Sequence, residues 1–337
     1  MSLKELFFKI SFLYNFLPVH FLMKLAKKRN ISLFYHFIKD DKEKLTNNLY
    51  KVKNITQFLE DIHFLKKYFT SISVDDFTKG NYKNKYTFFL SFDDGLSNFY
   101  HVVAPILKKE KVHAINFLNS NFINNQELFY RYKINFLIDF LLKNKLNQHQ
   151  KKQFCNQLEL KKFYKKNVIS ELKTLNIHHT NRINYLLKIV HFSQNEYLIN
   201  EKPYLTTYQI KDLLKQGFQF GGHSLNHPKY KNISLQNQIE ETITSIDEIV
   251  SNFELENKYF AFPFSDNGVT NEFFCKIKTK VNATFGTDGL KDEDINFHFQ
   301  RIPMEYNSVY SAETIIKGEL IYYLFKKMLR KHKSNRN

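Results

Sequence analysis

Short β-rich runs separated by helical patterns constrain most what this chain can fold into. Six such runs occupy residues 31–37, 86–92, 113–119, 218–224, 258–264 and 283–289. Apolar residues at helical spacing lie between several of them, for example over residues 96–110 and 234–253. Strands that alternate with helices are typical of parallel α/β folds. We therefore predict a parallel α/β sheet or barrel.

One long interval differs in composition from its flanks. No glycine occurs between Gly95 and Gly217, and no proline between Pro105 and Pro203. Apolar residues recur there at three- and four-residue spacing, which predicts helices. We predict one α/β domain over residues 31–310 with a helical insertion over about 125–200. An N-terminal amphipathic helical segment (residues 1–30) and a basic C-terminal helix and tail (residues 311–337) flank this domain.

The net charge of +17 over 337 residues favours anionic partners. No zinc finger, aromatic RNA-binding signature or recognition-helix pattern accompanies the charge, so we expect no specific nucleic-acid partner. Basic residues concentrate in the C-terminal stretch that follows the apolar run LIYYLF. A basic helix of this kind could lie on an anionic membrane. A solvated terminal helix with a frayed tail explains the stretch better.

Polar residues with the chemistry of a catalytic site follow two of the β-rich runs. Asp93 and Asp94 end one run, and His223 and His227 follow another. One aspartate and two histidines form the three-ligand set of catalytic metal sites, and the second aspartate is then free to act as a general base. The alternative is an Asp-Asp-Gly turn and two ordinary histidines in a loop. Gly222 and Pro228 beside the histidines favour a loop over a helix interior.

These stretches resemble the motifs of a known family. SFDDG (residues 91–95) and HSLNHP (residues 223–228) resemble the first two motifs of the polysaccharide deacetylase family, carbohydrate esterase family four. FAFPFSDNG (residues 260–268) resembles the third. The resemblance implies a distorted (β/α) barrel of about seven strands.

The resemblance also implies an activity, the metal-dependent removal of an acetyl group, most often N-acetyl, from a sugar. Asp94, His223 and His227 would hold the metal, and Asp93 would take a proton from metal-bound water. Zinc is the expected ion, although the same donors suit cobalt, nickel and manganese. A backbone N–H near Phe264 would stabilise the oxyanion.

The chain departs from the family pattern at two points. The arginine that orients the base in the third motif is missing, and Arg301 is a candidate to replace it, although an ordinary arginine at the edge of the core is the alternative. The late Leu-x-His motif that supplies the general acid is also missing. His298 lies in the corresponding region, but a histidine on a strand face explains it better. The general acid is therefore unidentified in the sequence.

Further candidates for substrate contact lie on predicted loops. Asp266 follows the third motif, where turn capping is the alternative role. Tyr130 and Arg131 lie at the entry of the insertion. That entry forms a wall or lid of the substrate groove if the helices fold over the strand ends. It packs on the side of the barrel if they do not.

The sequence thus favours an enzyme that deacetylates a sugar or glycan precursor, lipid-linked or nucleotide-linked. Because no clear export signal is present, we predict a cytoplasmic protein, peripheral at the inner face of the membrane if the basic helix binds lipid. The alternative from another functional class is a catalytically impaired carbohydrate-binding or scaffold protein on the same fold. The sugar, the acetyl position and the oligomeric state are left open.

Overall fold

The strands of the protein form one parallel sheet. The computed structural model describes residues 3–40, 49, 51–82, 85–306 and 310–336. Each of the six predicted β-rich runs contains a strand. The strands are β1 Asn30–Tyr35, β2 Thr70–Ser71, β3 Thr87–Phe92, β4 Ile115–Leu118, β5 Gln219–Gly222, β6 Tyr259–Ala261, β7 Ala283–Gly286, β8 His298–Gln300 and β9 Ile302–Pro303.

The sheet curves into a nearly closed barrel. Eight strands follow the order β8-β7-β6-β5-β4-β3-β1-β9, and β2 adds to β3 outside this path. Only Arg301 separates β8 from β9, so one stretch of chain pairs with β7 on one side and with β1 on the other. This one segment therefore forms both end strands of the sheet and brings them next to each other. The prediction of a distorted (β/α) barrel is confirmed.

Helices surround the barrel and cover the outer apolar faces of its strands. Every residue of β3 is buried, as expected for a parallel strand that is covered on both sides. The helices are α1 Leu3–Lys9, α2 Val19–Ala26, α3 Ile55–Tyr68, α4 Val74–Lys79, α5 Ala104–Glu110, α6 Tyr130–Lys143, α7 Gln148–Gln157, α8 Lys165–Thr174, α9 Thr180–Ile189, α10 Gln194–Glu201, α11 Thr207–Lys215, α12 Leu235–Phe253, α13 Asn271–Ile277 and α14 Ala312–Met328. None of the helices in these described ranges is long and apolar enough to cross a membrane.

The insertion contains five helices, α6 to α10, which lie between β4 and β5. These helices share a hydrophobic core of their own, to which Leu137, Phe154, Val168 and Leu186 contribute. The first 30 residues contain two short helices, α1 and α2, joined through a 3-10 turn at Ser11–Leu13. Both pack against the C-terminal helix α14. The insertion therefore has its own packing, while the chain termini pack with each other.

Candidate active site

The paired aspartates lie in a tight turn directly after β3. The Asp93 N–H continues the sheet by donating to the Tyr35 carbonyl at 3.0 Å. Asp94 (φ 74°) and Gly95 (φ 62°) then adopt left-handed conformations. A Cβ at Gly95 would lie 2.9 Å from the Leu118 Cδ2 atom, so both the backbone and the space favour glycine. This turn holds both carboxylates, buried, at the carboxyl ends of the strands.

The two histidines lie in the loop after β5, as the sequence predicted. His227 has a left-handed backbone (φ 57°), and its N–H donates to the Ser224 hydroxyl at 2.9 Å. The Glu241 carboxylate accepts from the Asn226 N–H at 3.1 Å. These local bonds, rather than a helix, bring both imidazole rings to face the turn after β3.

Asp94, His223 and His227 form a cluster that fits a divalent cation. The Asp94 Oδ1 atom lies 3.0 Å from His227 Nε2 and 3.4 Å from His223 Nε2. One ligand atom from each residue lies within 4.8 Å of the others. His223 donates from Nδ1 to the Ala261 carbonyl at 2.8 Å, which leaves its Nε2 atom as a lone-pair donor.

Burial and hydrogen bonding both indicate that this cluster is incomplete without a cation. Among the described residues, the buried Asp94 Oδ1 atom accepts no hydrogen bond of good geometry. Burial lowers the pKa of His227, so its ring is neutral near pH 7, as a metal ligand must be. A buried carboxylate oxygen without a donor is costly, and a bound cation would remove that cost.

Asp93 is held by Arg301. The Arg301 Nη1 and Nη2 atoms donate to the two Asp93 oxygens at 2.7 and 2.8 Å, in a bidentate pair. The guanidinium is fully buried, stacks over the Phe34 ring and also donates to the Ser91 hydroxyl. Burial opposes ionisation of Asp93, but the charge and hydrogen bonds of Arg301, together with His223 and His36, outweigh it and lower the pKa of this carboxyl. Asp93 is therefore an oriented, ionised carboxylate.

A cavity of about 240 Å³ opens onto both aspartates. Two aromatic rings, Phe129 from the entry of the insertion and Phe264 from the loop after β6, flank His227 at 4.4 and 4.6 Å between ring centroids. The entry of the insertion is thus a wall of the cavity. The lining residues are Phe34, His36, Leu49, Asp93, Asp94, Phe129, Arg131, His223, His227, Phe264 and Thr287.

Two cations lie beside Phe264 at this wall. The Arg131 guanidinium is 5.8 Å from the Phe264 ring centroid, and the Lys229 ammonium is 5.4 Å from it. Burial, together with the charges of Arg131 and Lys231, lowers the pKa of Lys229. Arg131, which lines the cavity, and Lys229 therefore place like charges beside Phe264.

The loop that carries Phe264 is strained in the way that ligand-binding loops often are. Phe264 has a left-handed backbone (φ 58°), and its carbonyl accepts from the Thr287 hydroxyl at 2.9 Å. Within the part of the chain that the structure describes, the Phe264 N–H donates to no acceptor. No acceptor within the described residues therefore competes for this N–H.

The structure does not bring Asp266 and Tyr130 into the cavity. Asp266 is buried, and Arg336 and Gln300 donate to its Oδ2 atom at 2.6 and 2.7 Å. Its carboxylate is therefore occupied by the protein itself. Tyr130 is buried, and burial raises the pKa of its hydroxyl to about 12. Its neighbour Tyr132, not Tyr130, reaches the site and donates to the Asp94 Oδ2 atom at 3.2 Å.

Sequence reasoning missed a histidine in the cavity. His36 follows β1, and its Nδ1 atom lies 2.6 Å from the Glu305 Oε2 atom. Burial opposes the charged ring, but Glu305, together with the charges of Asp94 and Asp93, outweighs it and raises the pKa of His36 to about 9. The Glu305 carboxylate also accepts from the backbone N–H groups of His36 and Phe37. The available signal was position, since His36 ends a β-rich run just as Asp93 does.

Comparison with known proteins identifies the family to which the chain belongs. The sequence model of the family described as polysaccharide deacetylase matches residues 80–285, which is more than half of the chain. The chain belongs to the polysaccharide deacetylase family. The family predicted from the motifs is thus confirmed, and with it a hydrolase that removes acetyl groups from carbohydrate by cleaving amide bonds. No curated protein matches the chain significantly in sequence.

Solved deacetylases share the fold at low sequence identity. A deacetylase from Streptococcus pyogenes, solved with acetate, is 17% identical with a TM-score of 0.53, over 86% of this chain and 97% of that one. A polysaccharide deacetylase from Bacillus cereus is 14% identical with a TM-score of 0.52, over 87% of this chain and 69% of that one. A de-N-acetylase from Aggregatibacter actinomycetemcomitans is 13% identical with a TM-score of 0.50, over 81% and 94%. These similarities support the barrel fold.

Proposed function

We propose that this polysaccharide deacetylase is metal-dependent and removes an N-acetyl group with Asp93 as the general base. The observation that supports this most is the contrast between the two adjacent aspartates. Asp94 faces two histidines and its Oδ1 atom accepts no hydrogen bond of good geometry among the described residues, while both oxygens of Asp93 accept from Arg301 in the same cavity.

The proposed metal ligands are Asp94, His223 and His227. A divalent cation there, zinc in the first place and cobalt, nickel or manganese as alternatives, would supply the Lewis acidity that lowers the pKa of a water and polarises the acetamide carbonyl. Tyr132, which donates to Asp94, would fix the orientation of that ligand.

The chain's own groups account for the proton transfers. Asp93 accepts a proton from the attacking water, and Arg301 keeps this carboxylate oriented and ionised. The water oxygen bonds to the acetyl carbon, and the Phe264 N–H donates to the developing oxyanion. His36, held protonated by Glu305, donates a proton to the leaving nitrogen as the carbon–nitrogen bond breaks. Acetate and the free amine are the products.

The rim of the cavity supports a substrate that carries a phosphate. Arg131 and Lys229 bring like charges together beside Phe264, an arrangement that an anion would stabilise. A lipid-linked or nucleotide-linked acetyl sugar would present such an anion close to the acetamide. Arg131→Gln should then raise KM for phosphorylated acetyl sugars and leave KM for neutral ones unchanged, whereas Arg182→Gln, on the insertion surface, should change neither.

Acetate release tests the proposed chemistry. Zinc-loaded protein and its Asp93→Asn variant are incubated with N- and O-acetylated sugars, free and phosphate-linked, and acetate is measured. We expect release by the wild type and a loss of about 10²–10⁴-fold in the variant, the usual contribution of a positioned base. Sugar binding without acetate release by the wild type on any substrate would instead favour the scaffold alternative.

The cytoplasmic location, at the inner face of the membrane, stays a prediction from the sequence. The oligomeric state is open.

A further inference from the structure

The large hydrophobic side chains that the structure exposes are concentrated near the two chain termini. Ten of the sixteen such side chains in the described residues come from residues 3–25 and 325–329. The most exposed of them are Phe12 at 72%, Phe16 at 79% and Met328 at 83%. Exposed apolar groups that cluster in this way mark interaction surfaces. We refer to residues 3–29 and 325–336, which contain these two segments, as the terminal surface.

The two parts of the terminal surface are neighbours in space. The Phe7 ring of α1 lies 5.4 Å from Tyr322 and 5.6 Å from Phe325, both on α14. The Lys317 ammonium donates to the Asn15 carbonyl in the segment that joins α1 to α2. Phe12 and Phe16 lie in that same joining segment. The apolar side chains therefore belong to one packed unit of α1, α2 and α14.

The terminal surface is also strongly basic. Residues 3–29 contain six lysines and arginines but one acidic residue, and residues 325–336 contain six and none. Lys4, Lys28, Lys333 and Arg336 pair with carboxylates elsewhere in the chain, and the other eight form no such ion pair within the described residues. Lys24 on α2 and Lys27 directly after it are exposed, as are Phe21 and Leu25 on the same helix. Aromatic and aliphatic side chains among lysines are the pattern that enters the interface of anionic lipid bilayers.

The charge argues against a second copy of the chain as the occupant. A two-fold dimer through this surface would place the same basic residues of both copies against each other. That arrangement is unfavourable, whereas an anionic lipid surface neutralises these residues. We propose that the terminal surface docks on an anionic lipid bilayer, with Phe12 and Phe16 inserted and the lysines among the headgroups. This proposal does not depend on the proposed function.

Vesicle co-sedimentation tests the proposal. Full-length protein is mixed with vesicles of phosphatidylcholine alone, or of equal parts phosphatidylcholine and phosphatidylglycerol, at low and high salt. We expect binding to the anionic vesicles that weakens with salt, and little binding to the neutral ones. The Phe12→Ser/Phe16→Ser variant should lower the partition coefficient at least about tenfold. The Lys24→Gln/Lys27→Gln variant should lower it roughly fivefold for each lysine.

A control variant distinguishes binding through the terminal surface from binding through any exposed hydrophobic side chain. Ile199→Ser/Tyr208→Ser removes side chains that are 68% and 75% exposed elsewhere on the molecule, and should bind vesicles like the wild type. Circular dichroism and thermal unfolding verify that each variant folds. Equal binding to neutral and anionic vesicles would overturn the proposal, as would undiminished binding of the Phe12/Phe16 variant. The proposal would also be overturned if the wild type does not bind vesicles but forms dimers, as measured by light scattering, and the Phe12/Phe16 variant does not. The terminal surface would then be a self-association surface.

Discussion

Two clusters in this protein combine aspartate with histidine, and they differ in what compensates the aspartate. Asp94 lies against His223 and His227, with an Oδ1 atom that lacks a donor among the described residues. Asp266 lies against His298 and Glu293, but Arg336 donates to both carboxylates at 2.6 and 2.7 Å.

The difference shows why ligand types alone do not identify a metal site. Both clusters bring three ligand atoms within 4.8 Å of one another. Burial opposes ionisation of Asp266, yet His298 and Arg336 outweigh it and hold its pKa well below the usual value. The Arg336 guanidinium thus occupies the position in which a metal ion would bind. In the cluster of Asp94, no arginine or lysine among the described residues compensates the carboxylate, and the cluster faces the cavity. We therefore expect metal at the cluster of Asp94 and not at that of Asp266.

The largest contrast should come from equivalent histidine substitutions in the two clusters. His227→Gln removes a proposed ligand, so acetate release should fall by more than the 10–100-fold that is typical of changes around a metal ligand. His298→Gln keeps Arg336 in its cluster and should retain turnover within a few-fold. Equal losses of kcat in both variants would show that the distinction between the clusters is incorrect.

Arg301 should matter for stability as well as for the base. Arg301→Ala leaves Asp93 buried without its partner, which typically costs about 3–5 kcal/mol of unfolding free energy. Denaturant unfolding at pH 7 measures this loss. Asp93→Asn in the same background should recover part of the stability, because the buried charge is then gone. No recovery would mean that Arg301 acts through packing on Phe34 rather than through Asp93.

The pH profile tests His36 as the proton donor. Because Glu305 raises the pKa of His36 to about 9, kcat should fall as pH rises through that value. The His36–Glu305 pair also contributes to the free energy of unfolding. This contribution is fully present below about pH 6.5, the ordinary histidine pKa, and is lost as pH rises through about 9. Glu305→Gln should move the alkaline limb of the profile to lower pH. An unmoved limb in that variant would assign the limb to another group.

The smallest effect concerns the second cluster. Arg336→Met removes the guanidinium from Asp266 and Glu293, so we expect a loss of about 1–3 kcal/mol in unfolding free energy. If the guanidinium is what excludes metal, this variant should also take up a second, weaker zinc equivalent, measurable by titration calorimetry. Unchanged stability together with unchanged zinc uptake would refute the role given to Arg336.

The sequence was sufficient for six of the nine strands in the described ranges and for the site residues that follow β3 and β5. Parallel strands place their carboxyl ends at one edge of the sheet, so the residues after β3 and β5, which lie on either side of β4, come close together there. The same logic extends to His36 after β1, but no motif singled it out. The short strands β8 and β9 have too few residues for a periodic pattern, and they place Arg301.

Pairs that are distant in sequence could not be predicted, because they depend on how the barrel closes. Arg301 reaches Asp93 across 208 positions, and Glu305 reaches His36 across 269. Arg336 reaches Asp266 across 70 positions and takes that residue away from the substrate. In each case a buried charged side chain needs a partner of opposite charge. The local sequence does not indicate which residue is that partner.

Metal stoichiometry tests the central claim most directly. Native and inductively coupled plasma mass spectrometry would be applied to the zinc-reconstituted wild type, Asp94→Asn and Asp266→Asn after dialysis. We predict about one zinc per chain in the wild type and in Asp266→Asn, and almost none in Asp94→Asn. A wild type without metal, or zinc retained in Asp94→Asn and lost in Asp266→Asn, would contradict the account.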